Sequence, residues 1–193
     1  MTKRVKKMME ESIIGEQLVM DFFSIKFNME FHLMDWESQK VARRLGQHPP
    51  DILCVNRPHV AFEVKEDIRS AQTGNFAFEA QCLLGLRAWG RAHDMTHIYL
   101  VYINHYDNRL DIFELGLFGA SIDDELERLC DTHPQCRLVP GGDQNHPLFI
   151  VPIPIARRME SCLTYKFIKP VEQFLFGRII GSVLSKSGKN SNS

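Results

Sequence analysis

Two acids and a lysine interrupt a pair of short apolar runs between residues 50 and 65, a pattern that few folds accommodate. Residues 52–55 (Ile-Leu-Cys-Val) and 60–64 (Val-Ala-Phe-Glu-Val) read as buried strands, and Asn56-Arg57-Pro58-His59 between them reads as a turn. Asp51 stands at the entrance to the first strand, and Glu63 and Lys65 at the end of the second. Residues two apart share one face of a strand, so Glu63 and Lys65 project together while Phe62 and Val64 face the other side. A carboxylate and an ammonium beside a buried strand are costly unless partnered, so the pattern calls for a site.

The flanking sequence supplies a scaffold. Residues 11–23 carry Ile14, Leu18 and Phe22 at helical spacing with Val19 and Phe23 beside them, which predicts an amphipathic first helix. Alternation over 27–34 predicts the first strand, and residues 35–45 a short helix stopped by Gly46 and Pro49-Pro50. A polar loop over 66–75 leads to a helix expected over 76–93, and strands are expected over 97–103 and 110–115. Beyond them the pattern gives a helix over 121–130, strands over 137–139 and 149–153, and a terminal helix over 170–184.

Composition bounds the class. A chain of 193 residues with 44% hydrophobic content can bury one substantial core, and no linker divides it, so a single domain is expected over 1–184 with a polar, disordered tail over 185–193. No run approaches a membrane span and the first seven residues lack the apolar stretch of a signal peptide, so a cytoplasmic protein is expected, in host cytoplasm if phage-encoded. Five cysteines without a CxxC pair fit a reducing compartment, and Cys130, His133 and Cys136 match no standard zinc spacing. The absence of phosphate-loop and nucleophile-elbow glycine motifs argues against a nucleotide cofactor and a serine hydrolase. The formal charge of −1 gives no global attraction for a polyanion, although basic residues collect near both ends of the chain.

Pro50-Asp51 followed by Glu63-Val64-Lys65 resembles the signature of the PD-(D/E)xK nuclease superfamily. The resemblance covers about residues 10–115 and implies an α/β, restriction-endonuclease-like core of order αβββαβ, a mixed central sheet flanked by helices, with residues 116–184 as a C-terminal elaboration of further strands and a helix. It implies that Asp51 and Glu63 hold Mg²⁺, with Mn²⁺ able to substitute, that the Val64 carbonyl completes the shell, and that Lys65 acts as base or electrostatic stabiliser. Mg²⁺ suits such oxygen donors, and a lysine beside a dication is pushed toward its neutral form. Glu16 on the first helix is the position matched to a further metal-facing acid, with Glu10, Glu11 and Asp21 as competitors.

Residues 73–79, Thr-Gly-Asn-Phe-Ala-Phe-Glu, resemble a segment of some phage and mobile-element endonucleases. At a helix start, Ser70, Thr73 and Asn75 would contact phosphates, and Glu79 or Gln81 would reach the metal or its waters. The activity the resemblance implies is endonucleolytic hydrolysis of phosphodiester bonds in DNA, with homodimerisation as a hypothesis for cutting two strands. RNA cleavage with the same site and a non-catalytic binding protein on this fold are the alternatives.

Overall fold

The computed structural model describes residues 3–44, 47–65, 73–104, 107–140 and 147–166. The chain opens with α1 (Lys3–Phe27), β1 (Phe31–Leu33), α2 (Trp36–Arg44), β2 (Ile52–Cys54) and β3 (Val60–Lys65). It continues through β4 (Asn75–Glu79), α3 (Ala80–Ala92), β5 (His97–Asn104) and β6 (Arg109–Glu114). The last described elements are α4 (Ile122–Thr132), β7 (Arg137–Val139), β8 (Leu148–Pro152), α5 (Ile153–Ala156) and β9 (Cys162–Lys166).

Six strands form a mixed sheet of order β1-β2-β3-β5-β6-β9. Only β3 and β5 pair in parallel within it; the other neighbours are antiparallel. Parallel neighbours need a crossover, and here it contains β4 and α3. A second, antiparallel sheet has the order β4-β8-β7. The chain is thus an α/β protein with a six-stranded mixed sheet, a small antiparallel sheet and five helices among the described residues.

The two faces of the large sheet bury different cores. Val19 and Phe23 of α1 pack with Ile52, Phe62, Val101 and Ile112 on one face. On the other, Phe76 and Phe78 of β4 and Leu83 and Leu86 of α3 meet Ala61, Leu100, Tyr102 and Phe113. β5 is buried along most of its length, as a central strand covered on both sides must be. Strand alternation carries through β3, with Ala61 facing the α3 side and Phe62 the α1 side.

Several expected elements differ. The deeper stripe of α1 is Val19 and Phe23, whereas Ile14 is exposed. The helix runs on to Phe27 and stops where Asn28 enters the left-handed region at φ 52°, which shortens the first strand to three residues. The helix expected over 76–93 begins only at Ala80, because Phe76 and Phe78 alternate into the core as a strand paired with β8. β9 was not expected, and the terminal helix expected over 170–184 lies outside the described residues.

A buried ion pair fastens β9 and α5 to the sheet. Asp111 on β6 is fully buried and accepts two bonds from Arg157, from Nε at 2.7 Å and Nη2 at 2.8 Å, and one from the Thr164 hydroxyl at 2.8 Å. Arg157 Nη1 also lies 2.8 Å from Asp107 Oδ2. Replacing Asp111 by alanine strands the guanidinium, so Asp111→Ala should lose about 3–5 kcal/mol in urea unfolding. A loss below about 1 kcal/mol would show that the pair is dispensable.

Candidate functional site

Asp51, Glu63 and Lys65 meet where β2 begins beside β3. The antiparallel register pairs Leu53 with Ala61 and Ile52 with Phe62, and one residue further it sets Asp51 against Glu63. Asp51 is half-buried; its Oδ2 accepts the Val64 backbone N–H at 2.8 Å, and its carbonyl accepts the Met34 N–H at 2.9 Å. The carboxylate therefore grips β3 while its backbone holds the chain that follows β1.

Glu63 is 2% exposed and lies at the centre of the cluster. Its Oε1 accepts from Lys65 Nζ at 2.5 Å and lies 3.1 Å from His48 Nε2. The Cys82 thiol points at the same oxygen from 3.8 Å, and Cys82 Sγ lies 3.4 Å from His48 Nε2. Glu63 Oε2 is buried without a hydrogen-bond partner. Lys65 keeps 31% of its side chain exposed, so the cluster opens toward solvent on that side.

Local structure explains how His48 and Cys82 arrive. Cys82 projects from the first turn of α3, and Gly85 sits on the same face three residues on. A β-carbon at Gly85 would fall 2.7 Å from the His48 Cβ, so the glycine lets the 47–50 segment lie against the helix.

Burial raises the Asp51 pKa well above the carboxylate range, and the charge of Glu63 adds to the rise. Lys65 and the Val64 N–H act in the opposite direction, and Glu16 adds a smaller repulsion. Burial also opposes ionisation of Glu63, but the Lys65 charge and the His48 hydrogen bond outweigh it and hold Glu63 at about 2. Lys65 is raised well above its usual value: burial works against its charge, and Glu63 more than offsets it. In the metal-free site Lys65 is held as an ammonium because its nearest charge is a carboxylate at 2.5 Å; the expectation of a lysine pushed toward neutrality concerns the site with a dication beside it. Burial pushes Cys82 up to about 12, so it is a thiol.

The remaining expected site residues divide. Glu16 is half-buried on α1, next to the buried Gly15, and its charge is felt at Asp51. Asp21, its competitor, is exposed and accepts from Gln17 instead. Val64 is half-buried beside Glu63 on β3. Thr73 and Asn75 do not stand at a helix start: Asn75 opens β4, and its Nδ2 donates to the Thr73 carbonyl at 2.9 Å. Ser70 lies outside the described residues. Glu79 is the residue preceding α3, with no side-chain cap bond, and its charge reaches Cys82; Gln81 is exposed.

Sequence reasoning missed His48 and treated Cys82 as core. Among the described residues, His48, Glu63 and Cys82 are the group of metal-ligating type that the fold gathers, whereas Cys130, His133 and Cys136 do not form one. A cleft of about 730 Å³ between α2 and α3, lined by Met34, Val41, Leu53, Trp89 and Met95, does not include the acids. Comparison with known proteins gave no match to a family model, a curated protein or a solved structure.

The two acids should respond to amidation with opposite signs. The low pKa of Glu63 contributes stability that is complete above the ordinary value of 4.5 and lost as pH falls through about 2. Asp51, raised above 3.8, contributes stability that is lost as pH climbs through its folded value. In metal-free urea unfolding at pH 7, Glu63→Gln should cost about 3 kcal/mol. Asp51→Asn, which retains an acceptor for Val64, should instead add about 1 kcal/mol. Equal losses from both substitutions would contradict this electrostatic picture.

Proposed function

We propose that the chain is a Mg²⁺-dependent nuclease of PD-(D/E)xK type that cleaves phosphodiester bonds in DNA, with Asp51, Glu63 and Lys65 at its centre. The observation that carries this reading is the placing of Asp51 and Glu63 on neighbouring strand positions with a lysine bonded to one of them; burial, and then the charge of Glu63, raises Asp51. The unpartnered Oε2 of Glu63 supports it, since a buried carboxylate oxygen with no donor is a place for a cation. The order α1, β1, β2, β3, α3, β5 also supports it, with α2 and β4 inserted between these elements.

The donor set fits the ion. Asp51, Glu63 and the Val64 carbonyl supply oxygen alone, the ligand type Mg²⁺ prefers, and Glu16 stands near enough to influence Asp51. When bound there, Mg²⁺ would acidify a water and stabilise charge on the scissile phosphate. Asp51 and Glu63 would hold and orient the reacting groups from adjacent strands. Lys65, an ammonium bonded to Glu63, fits the electrostatic role of placing the attacking water and offsetting phosphate charge. Such a role asks for positioning more than proton abstraction.

Supercoiled, linear, single-stranded and four-way-junction DNA and an RNA control should be incubated with the protein in Mg²⁺, Mn²⁺ or EDTA. DNA cleavage should require the divalent ion and fall on the order of 10²–10⁴-fold in Asp51→Ala and in Lys65→Ala. Cleavage that persists in EDTA or in both variants would overturn the mechanism. Binding without cleavage, unaffected by metal, would instead identify a non-catalytic binding protein.

A further inference from the structure

We propose that His48, Glu63 and Cys82 form a binding site for a thiophilic divalent ion of the Zn²⁺ class, separate in its chemistry from the Mg²⁺ ligand set and sharing only Glu63 with it. The argument starts from distances. His48 Nε2 and Glu63 Oε1 are 3.1 Å apart, His48 Nε2 and Cys82 Sγ 3.4 Å, and Cys82 Sγ and Glu63 Oε1 3.8 Å. A tetrahedral Zn²⁺ with ordinary bond lengths would set these edges at about 3.3, 3.6 and 3.5 Å. Each side chain therefore lies within about 0.3 Å of its place around such an ion.

The donor types select the ion. An imidazole nitrogen, a thiolate and a carboxylate oxygen make a set suited to Zn²⁺ or Co²⁺ and ill suited to Mg²⁺, which avoids sulfur. Glu63 is 2% exposed, and its Oε1 is the atom on which His48 and Cys82 both converge. His48 is 23% exposed and gives the site an entrance. Three protein ligands leave a fourth position for water.

Binding requires three changes. The Cys82 thiol releases its proton to buffer as the sulfur–metal bond forms. His48 presents the Nε2 lone pair with its proton on Nδ1. The Lys65 ammonium leaves Glu63 Oε1, with its exposed side giving it room to turn outward. Because Glu63 belongs to both sets, an ion held by His48 and Cys82 withdraws that carboxylate from Asp51. The resulting inhibition of cleavage rests on the nuclease reading; the binding site itself does not.

Co²⁺ is the probe, titrated into the full chain and followed by optical absorbance. The wild type should give a thiolate-to-cobalt charge-transfer band in the near ultraviolet with the visible bands of a tetrahedral ion, both removed by Zn²⁺ and unaffected by Mg²⁺. Cys82→Ser should lose the charge-transfer band, and His48→Gln should weaken Co²⁺ binding at least about tenfold, since losing a ligand costs no less than losing one of its supporting partners. Cys136→Ser and Asp51→Asn should retain the band. Absence of a thiolate band in the wild type, or its survival in Cys82→Ser, overturns the site whether or not DNA is cut. Should Cys82→Ser fail to fold by circular dichroism, the wild-type and His48→Gln spectra still decide. Retention of the band in Asp51→Asn alongside loss of Mg²⁺-dependent cleavage would separate the two ion sets.

Discussion

The burial of Glu63 is the constraint on which the centre of this molecule depends. A carboxylate at 2% exposure is sustained only by compensating charge and hydrogen bonds, and each compensating group comes from a different part of the chain. Lys65 arrives through strand alternation, two residues along β3. His48 arrives from the segment before β2, pressed against α3 where Gly85 leaves room. Asp51 arrives through the β2–β3 register and works against the same balance, since its charge and that of Glu63 repel. The strand register therefore joins a favourable pair to an unfavourable one at neighbouring positions. Folding supplies enough burial energy from the two cores to hold them there.

That balance explains why the site sits on strands and a helix rather than on loops alone. β3 is flanked by β2 and β5 and buried on both faces, so Glu63 has little freedom to relax away from Asp51. α3 is fixed over the same face by Leu83 and Leu86 and tied to α4 by the Arg87–Asp123 ion pair at 2.7 Å. Cys82 is carried by α3 itself, and His48 packs on that helix at Gly85. Lys65, at 31% exposure, has room to exchange partners without opening the core.

The legible parts of this arrangement were those that depend on short-range periodicity. Ile52 to Val64 announces two buried strands, and the period of two places Glu63 and Lys65 together, as the structure has them. His48 and Cys82 were not legible, because they lie 34 residues apart and meet through the packing of α3 against the segment before β2. No local pattern marks a cysteine on the apolar face of a helix as anything but core. The boundary at Ala80 was readable in principle: Phe76 and Phe78 alternate as a strand does, yet the alanines that follow extend a helical pattern backward over them. β9 is half-exposed at a sheet edge, with Leu163 outward, and its burial pattern carries too little contrast to announce a strand.

Glu63 also decides how far the two ion chemistries can coexist. Its Oε1 already faces Lys65, His48 and Cys82, while Oε2 has no partner, so one carboxylate presents two unlike sides. An oxygen-only set with Asp51 and a mixed nitrogen and sulfur set with His48 and Cys82 make opposite demands on Lys65. In the proposed nuclease the first would retain an ammonium near the phosphate, whereas the second would require it to leave Oε1. On these two proposals, selectivity at this centre would be governed by the position of a single lysine side chain, whose partial exposure leaves it room to turn outward.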